Sequence, residues 1–329
     1  MDSLIDKLTL LNIPIYTNII LQYTDSIALT INKVYYYIPS HILYNNIQYK
    51  YNPCDNQKHI GGGYSLILFY KNDVNHELAV KYVNISSQLK NINIVTQELY
   101  LYQQIIPKMQ SIIEYYGYTY CMQNNNIYLA IILEKMTTDL FEYQRANIIT
   151  IQQLQQIIKT VLYALHRLHI KNIIYCDLKP ENILVKRIDN TQIYKLCDFN
   201  CSYYNKLKYN GCGTLQFNSP EQLKKQLPTD KTDIFSLGLL VLVLATNADS
   251  PYIALCKKTD TNMVKRDTIY NAIKNNLIDI ELYIINNICI KCDIHTLKNI
   301  VSFCKSLLQY NKEDRPTVDE ILLHPLLQG

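Results

Sequence analysis

Tyr175-Cys176-Asp177-Leu178-Lys179-Pro180-Glu181-Asn182 is the stretch on which the reading of this chain turns. It sets a carboxylate, a cation and an amide at short fixed offsets, with apolar segments on either side. Together, these groups can position a hydroxyl, neutralise a phosphate and ligate a divalent metal through oxygen. Cys176, next to the carboxylate, reads as a small loop filler; a redox role would need an exposed, acidic thiol.

Immediately upstream, Leu154, Ile157, Ile158, Val161, Leu162, Leu165, Leu168 and His169 form a wide apolar stripe at helical spacing. Downstream, Ile183–Lys186 and Tyr194–Leu196 read as short strands, and a polar loop runs on to Glu221. The most apolar run, Ile234 to Ala245, is too short to span a membrane and reads as a buried core helix. Toward the N-terminus the pattern changes. Ile47 to Tyr51 alternates, Leu66–Tyr70 and Leu78–Asn84 read as strands around a turn at Asn72-Asp73, and Ile127–Leu133 reads as a buried strand. Val95, Leu99, Tyr102 and Ile106 have helical spacing. Strands first and helices second predict an α+β chain of two lobes that meet near residues 134–139.

The bulk numbers agree with a folded globular chain. Of 329 residues, 48% are hydrophobic and 18% charged, which excludes intrinsic disorder. A net charge of +4 is too mild to indicate nucleic-acid binding. Ten scattered Cys, with a Met1-Asp2-Ser3 start that has no basic leader, read as reduced thiols; an intracellular, cytoplasmic location is expected. The abundance of Ile, Asn, Tyr and Lys points to an AT-rich genome. Cys289, Cys292, His295 and Cys304 have a spacing open to zinc, but their flanks are apolar and helical, which favours packing.

Further motifs supply what phosphoryl transfer requires, which is positioning and charge neutralisation. Ile60-Gly61-Gly62-Gly63-Tyr64-Ser65-Leu66-Ile67-Leu68 is a glycine-rich turn between strands, where backbone N–H groups can approach phosphate oxygens. Leu78-Ala79-Val80-Lys81 puts an ammonium in an apolar strand, where it needs a partner; Glu98, on the helix that follows, is the candidate. Asp198-Phe199-Asn200 offers a second carboxylate.

In this order, the motifs resemble the eukaryotic-type protein kinase family, in its serine/threonine branch. The opening run is similar to the catalytic loop H-R-D-L-x-x-x-N, with Tyr175 for His and Cys176 for Arg. The other motifs are similar to the Gly-rich loop (Leu66 at its third glycine), V-A-I-K and D-F-G (Asn200 for Gly). Ser219-Pro220-Glu221 is similar to A-P-E, and Asp314-Arg315-Pro316 to the late Arg that pairs with that Glu. The resemblance runs from Ile60 to Leu326, about 80% of the chain. It implies a two-lobed α+β fold, with a small antiparallel β lobe carrying one helix and a larger, mainly helical lobe. The small lobe would end near 136 and the large lobe span 137–329, with residues 1–54 an extension packed on the small lobe.

The resemblance further implies ATP, Mg2+ (or Mn2+) and a protein substrate. Asp177 would be the base and Lys179 the γ-phosphate cation, with Asn182 and Asp198 as metal ligands. Lys81, paired with Glu98, would hold the α- and β-phosphates. Ile60, Gly61, Gly62, Gly63, Tyr64, Ser65 and Leu68 would line the nucleotide. Leu133-Glu134-Lys135-Met136 would be the hinge, with Glu134 and Met136 at the adenine and Leu133 closing the pocket behind. Asp233 would open the central helix, and Tyr175 would stack near Phe199. Cys176 cannot give the bidentate bond by which the family's Arg receives a loop phosphate. Phosphorylation at Ser202, Tyr203, Tyr204 or Tyr209 is therefore expected to be dispensable. Two alternatives stay open, a nucleotide-binding scaffold without catalysis and a small-molecule kinase of similar fold.

Overall fold

The computed structural model describes residues 26–31, 34–45, 47–52, 65–85, 98–105, 109–123, 126–189, 191–204, 211 and 213–328. The chain divides into two units. The first contains the described residues up to Met136 apart from Met109–Ile112; the second contains that short segment and the described residues from Thr137 onward.

In the first unit, β1 (Ser26–Ile31) and β2 (Val34–Pro39) form a two-stranded antiparallel sheet. The strands β3 (His41–Tyr44), β4 (Ile47–Tyr51), β5 (Ser65–Lys71), β6 (Glu77–Asn84), β7 (Tyr115–Gln123) and β8 (Asn126–Glu134) form one antiparallel sheet in the order β3-β4-β5-β6-β8-β7. The β5–β6 turn is built on Asn72, whose Oδ1 accepts from the Val74 and His76 N–H groups at 3.1 and 2.8 Å.

Strand alternation sorts the side chains onto two faces. Leu66, Leu68 and Tyr70 of β5 lie with Leu78, Val80, Tyr82, Ala130 and Ile132 in a core that also takes Ile42 and Tyr49. Two buried hydroxyls find partners there, Tyr70 donating to the Pro39 carbonyl at 2.9 Å and meeting the Tyr82 hydroxyl at 2.8 Å. Cross-strand register puts Ile67 opposite Lys81, Phe69 and Leu133 opposite Ala79, and Ile131 opposite Lys81. These residues form the second face.

The second unit is mainly helical. Short strand β9 (Thr138–Asp139) leads into α1 (Leu140–Ala146), capped by Asp139, whose Oδ1 accepts from Glu142 N at 2.8 Å. Helix α2 (Ile151–Ile170) opens on a Thr150/Gln153 capping box and buries the apolar stripe from Leu154 to Leu168. After β10 (Ile173–Ile174) come β11 (Ile183–Ile188) and β12 (Thr191–Leu196), which pair with β9 in the order β12-β11-β9. The strand β13 (Tyr203–Tyr204) pairs with β10. Helix α3 (Pro220–Leu223) follows a tight segment from Thr214, and α4 (Asp230–Thr246) is buried along its whole length from Thr232. An all-round apolar helix belongs at the centre of a core. Gly238 lets this one close up; a Cβ there would meet Leu307 and Leu308 atoms at 2.9–3.0 Å. The unit ends with α5 (Asn262–Lys274), α6 (Ile280–Asn287), α7 (Ile294–Leu307) and α8 (Val318–Leu322).

No described helix is long and apolar enough to cross a membrane. Cys289, Cys292, His295 and Cys304 do not gather into a group of metal-ligating side chains among the described residues. The Cys289 thiol instead donates to the Ala245 carbonyl at 3.2 Å. Cys304 is buried in the core, where desolvation pushes its thiol up to about 12.

Candidate active site

In the first unit, strand β6 carries Lys81 into an apolar face, where an isolated ammonium would be costly. Glu98 meets that cost. Both of its carboxylate oxygens accept from Lys81 Nζ at 2.9 Å, and the residues are 5% and 1% exposed. Glu98 lies on a helical segment that continues as a π-turn over Leu101–Ile105. At the end of β8, the Glu134 N–H donates to the Glu114 carbonyl at 2.9 Å, and Met136 is buried. Lys135 pairs with Glu77 at 2.8 Å and lies over the Phe69 ring.

The sheet register corrects one candidate. Leu68 is fully buried in the core on the face away from Lys81, so it does not line a site built around that lysine. Ser65 and Ile67, both half-buried, occupy the Lys81 face instead. Ile60, Gly61, Gly62, Gly63 and Tyr64, with Tyr209, lie outside the described residues.

In the second unit, Asp177 is 8% exposed and draws three donors. Thr214 Oγ1 donates to its Oδ1 at 2.8 Å, Lys179 Nζ reaches its Oδ2 at 2.9 Å, and Asn182 Nδ2 donates to the same oxygen at 3.1 Å. Lys179 also donates to Thr214 Oγ1 at 2.8 Å, closing a triangle of carboxylate, cation and hydroxyl. Burial alone would lower the Lys179 pKa, but the Asp177 carboxylate outweighs it, with smaller help from Glu181 and Asp198, and raises it. Lys179 is therefore a fixed cation at neutral pH. Burial raises the carboxyl of Glu181.

Asn182 donates a second time, to the Asp177 carbonyl at 2.8 Å, so its amide nitrogen is occupied and its oxygen is the end available to a cation. Its own carbonyl accepts from Cys197 N at 3.0 Å, which ties it to the residue before Asp198. Asp198 sits at φ 58°, in the left-handed region, and its Oδ1 accepts from Asn200 N at 3.4 Å. An amide oxygen and one carboxylate are the hard donors suited to Mg2+, which takes few protein ligands and completes its shell with phosphate and water oxygens. The residues present fit that ion.

The loop is held from behind. Asp233 is fully buried; its Oδ1 accepts from Cys176 N at 2.8 Å and its Oδ2 from Tyr175 N at 2.9 Å. His169 Nε2 bonds the same Oδ2 at 2.8 Å. His169, expected as part of an apolar stripe, is thus a polar buttress of the Tyr175–Asp177 loop. Tyr175 meets Phe199 edge-on, with centroids 5.5 Å apart and planes at 79°, and its hydroxyl donates to the Cys197 carbonyl. Ser202 is buried and donates to the Tyr175 carbonyl at 3.3 Å.

Farther back, Arg315 makes a bidentate pair with Glu221, at 2.8 and 3.0 Å. Burial would raise the Glu221 carboxyl, but hydrogen bonding and charge from Arg315 outweigh it and hold the group below its ordinary value. Gln222, which no motif singled out, is 1% exposed and donates to the Cys176 carbonyl at 2.8 Å.

Comparison with known proteins places this arrangement. The protein kinase domain model matches residues 55–327, and the chain belongs to that family. It is similar to the MAP kinase kinase MKK1/SSP32 of Saccharomyces cerevisiae, 33% identical over 173 residues, covering 48% of this chain and 33% of that one. It is also similar to the serine/threonine-protein kinase pakG of Dictyostelium discoideum, 25% identical over 303 residues, 87% of this chain and 23% of the other. A third relative is serine/threonine-protein kinase D2 of Rattus norvegicus, 29% identical over 175 residues, 52% of this chain and 18% of that one. This chain thus spans a third or less of the length of these curated relatives.

Proposed function

We propose that this chain is an ATP- and Mg2+-dependent protein serine/threonine kinase. The observation that carries the reading is the Asp177 cluster. A buried carboxylate is held by Lys179, Asn182 and Thr214 at 2.8–3.1 Å, with each donor placed so that one loop serves base, cation and metal. Asp177 orients the substrate hydroxyl and takes its proton. Lys179, kept charged by its neighbours, neutralises the transferring γ-phosphoryl group. Lys81, fixed by Glu98, holds the α- and β-phosphates. Asn182 and Asp198 would hold the metal, which when bound neutralises charge between the phosphates.

The serine/threonine assignment rests on the Lys179–Thr214 bond at 2.8 Å and on the relatives' names. A loop with Lys two residues after the base and Thr beside it suits a short aliphatic hydroxyl. The test is transfer of labelled γ-phosphate to a generic basic protein, followed by phosphoamino-acid analysis. Phosphoserine and phosphothreonine are expected. Phosphotyrosine alone would overturn the specificity; tight nucleotide binding without transfer under either metal would favour a scaffold.

A further inference from the structure

Cys176 occupies a strained and heavily clamped position. Its φ is 68°, in the left-handed region that a non-glycine residue adopts only under constraint. Its N–H is fixed by Asp233, and its carbonyl by Gln222 Nε2 at 2.8 Å. The same carbonyl lies against Gly213, itself at φ 125°; a Cβ there would fall 2.9 Å from it and 2.5 Å from Asn218 Oδ1. Gly213, just before the Thr214–Ser219 segment, is therefore packed against the carbonyl of the residue preceding Asp177. Gln222 bridges the two directly. Its Oε1 accepts from Ser219 N at 3.1 Å, closing the cap of α3, while its Nε2 reaches across to the loop. Helix α3 is anchored in turn by the adjacent Glu221–Arg315 pair.

We propose that Gln222 is a positioning residue for phosphoryl transfer, a neutral latch that holds the Cys176 carbonyl and thereby sets the direction of Asp177. The inference rests on the kinase reading above. Cys176 has no cation with which to receive a loop phosphate, and this bond links the peptide-binding segment to the catalytic loop without one. The link is made within the folded chain, so the geometry of Asp177 follows from folding alone.

Gln222→Glu separates the latch from the helix cap. Glutamate serves as well as glutamine at the third position of a capping box, so the cap stays. What is lost is the donor to Cys176. Gln222→Met keeps the volume and adds no charge. The full chain is assayed for kcat, for the KM of ATP and for thermal midpoint. Gln222→Glu should lose roughly 10-fold or more in kcat, because a buried carbonyl loses its partner and faces an oxygen. Gln222→Met should lose roughly 5-fold. The KM of ATP should stay within about twofold in both, since Lys81 and Glu98 are untouched. Wild-type kcat in Gln222→Met overturns the latch, even if Gln222→Glu fails to fold. A kcat loss matched by an equal rise in the KM of ATP overturns it too, because that is general damage rather than positioning. An active wild type with insensitive variants sinks this inference alone; an inactive wild type sinks the kinase reading with it.

Discussion

Removing the guanidinium of Arg315 should destabilise the second unit severely, by an amount that depends on pH. The side chain is fully buried; it pairs twice with Glu221 and donates to the carbonyls of Gln309, Lys231 and Tyr310 at 2.9, 2.8 and 3.1 Å. It also lies over the Phe235 ring, 4.9 Å from the centroid. Arg315→Met keeps most of the stem packing but leaves Glu221 as a buried, unpaired charge, which costs about 3–5 kcal/mol. Set against a total stability of about 5–15 kcal/mol, that is about a fifth or more, equivalent to roughly 10 °C in Tm. The sign of the pH dependence follows from Glu221. In the native chain Arg315 holds its pKa below the ordinary 4.5, so the stabilisation is full above that value and is lost as pH falls through the lower folded one. In Arg315→Met, burial, the largest effect on this group, is opposed only by the Thr232 hydroxyl and a backbone bond, and the pKa rises; the cost is then present above the raised value and is relieved as pH falls through it. The gap between the two proteins, measured by urea unfolding, must narrow from pH 7 toward pH 4. Glu221→Leu with Arg315→Met should recover at least half the loss, because no charge is left stranded. A gap under about 1 kcal/mol at pH 7, or one that widens on acidification, would refute the assignment of the pair as a buried anchor.

Three further outcomes follow from the geometry. Leu68→Ala should cost about 2–5 kcal/mol of stability without changing the KM of ATP, whereas Ile67→Ala should raise that KM roughly 5-fold; the reverse pattern would put Leu68 back at the nucleotide. Phosphatase treatment should leave activity within about twofold, because Cys176 offers no guanidinium to a loop phosphate; a large gain on loop phosphorylation would contradict this. Purified protein should carry no stoichiometric zinc, and Cys289→Ser should leave its metal content unchanged; zinc that disappears with Cys289 would restore the metal reading.

Much of the second unit's chemistry was legible because it is local. Asp177, Lys179 and Asn182 sit within one loop, and their spacing alone implies a shared site. Lys81 needed a partner on physical grounds, and Glu98, on the helical pattern that follows, was the candidate. Other features depend on contacts that spacing does not encode. Leu68 was assigned to the wrong face because the sense of a strand depends on register, and a shift of one residue inverts every side chain. His169 falls on the apolar stripe of α2 by period, yet its ring finds Asp233 in a part of the chain that helical spacing does not reach. Gln222 gave no local sign, since its partner is the Cys176 backbone. The strand Tyr115–Gln123 escaped notice because its tyrosines and the bulge between Tyr115 and Gly117 blur any period-two alternation.

The central claim, that Asp177 is the base of a working phosphotransferase, is tested most directly by Asp177→Asn. Single-turnover transfer from labelled ATP to a protein substrate should fall by about 10²–10⁴ with ATP affinity unchanged, because asparagine keeps the size of the side chain but takes no proton. Transfer at the wild-type rate in Asp177→Asn would contradict the account.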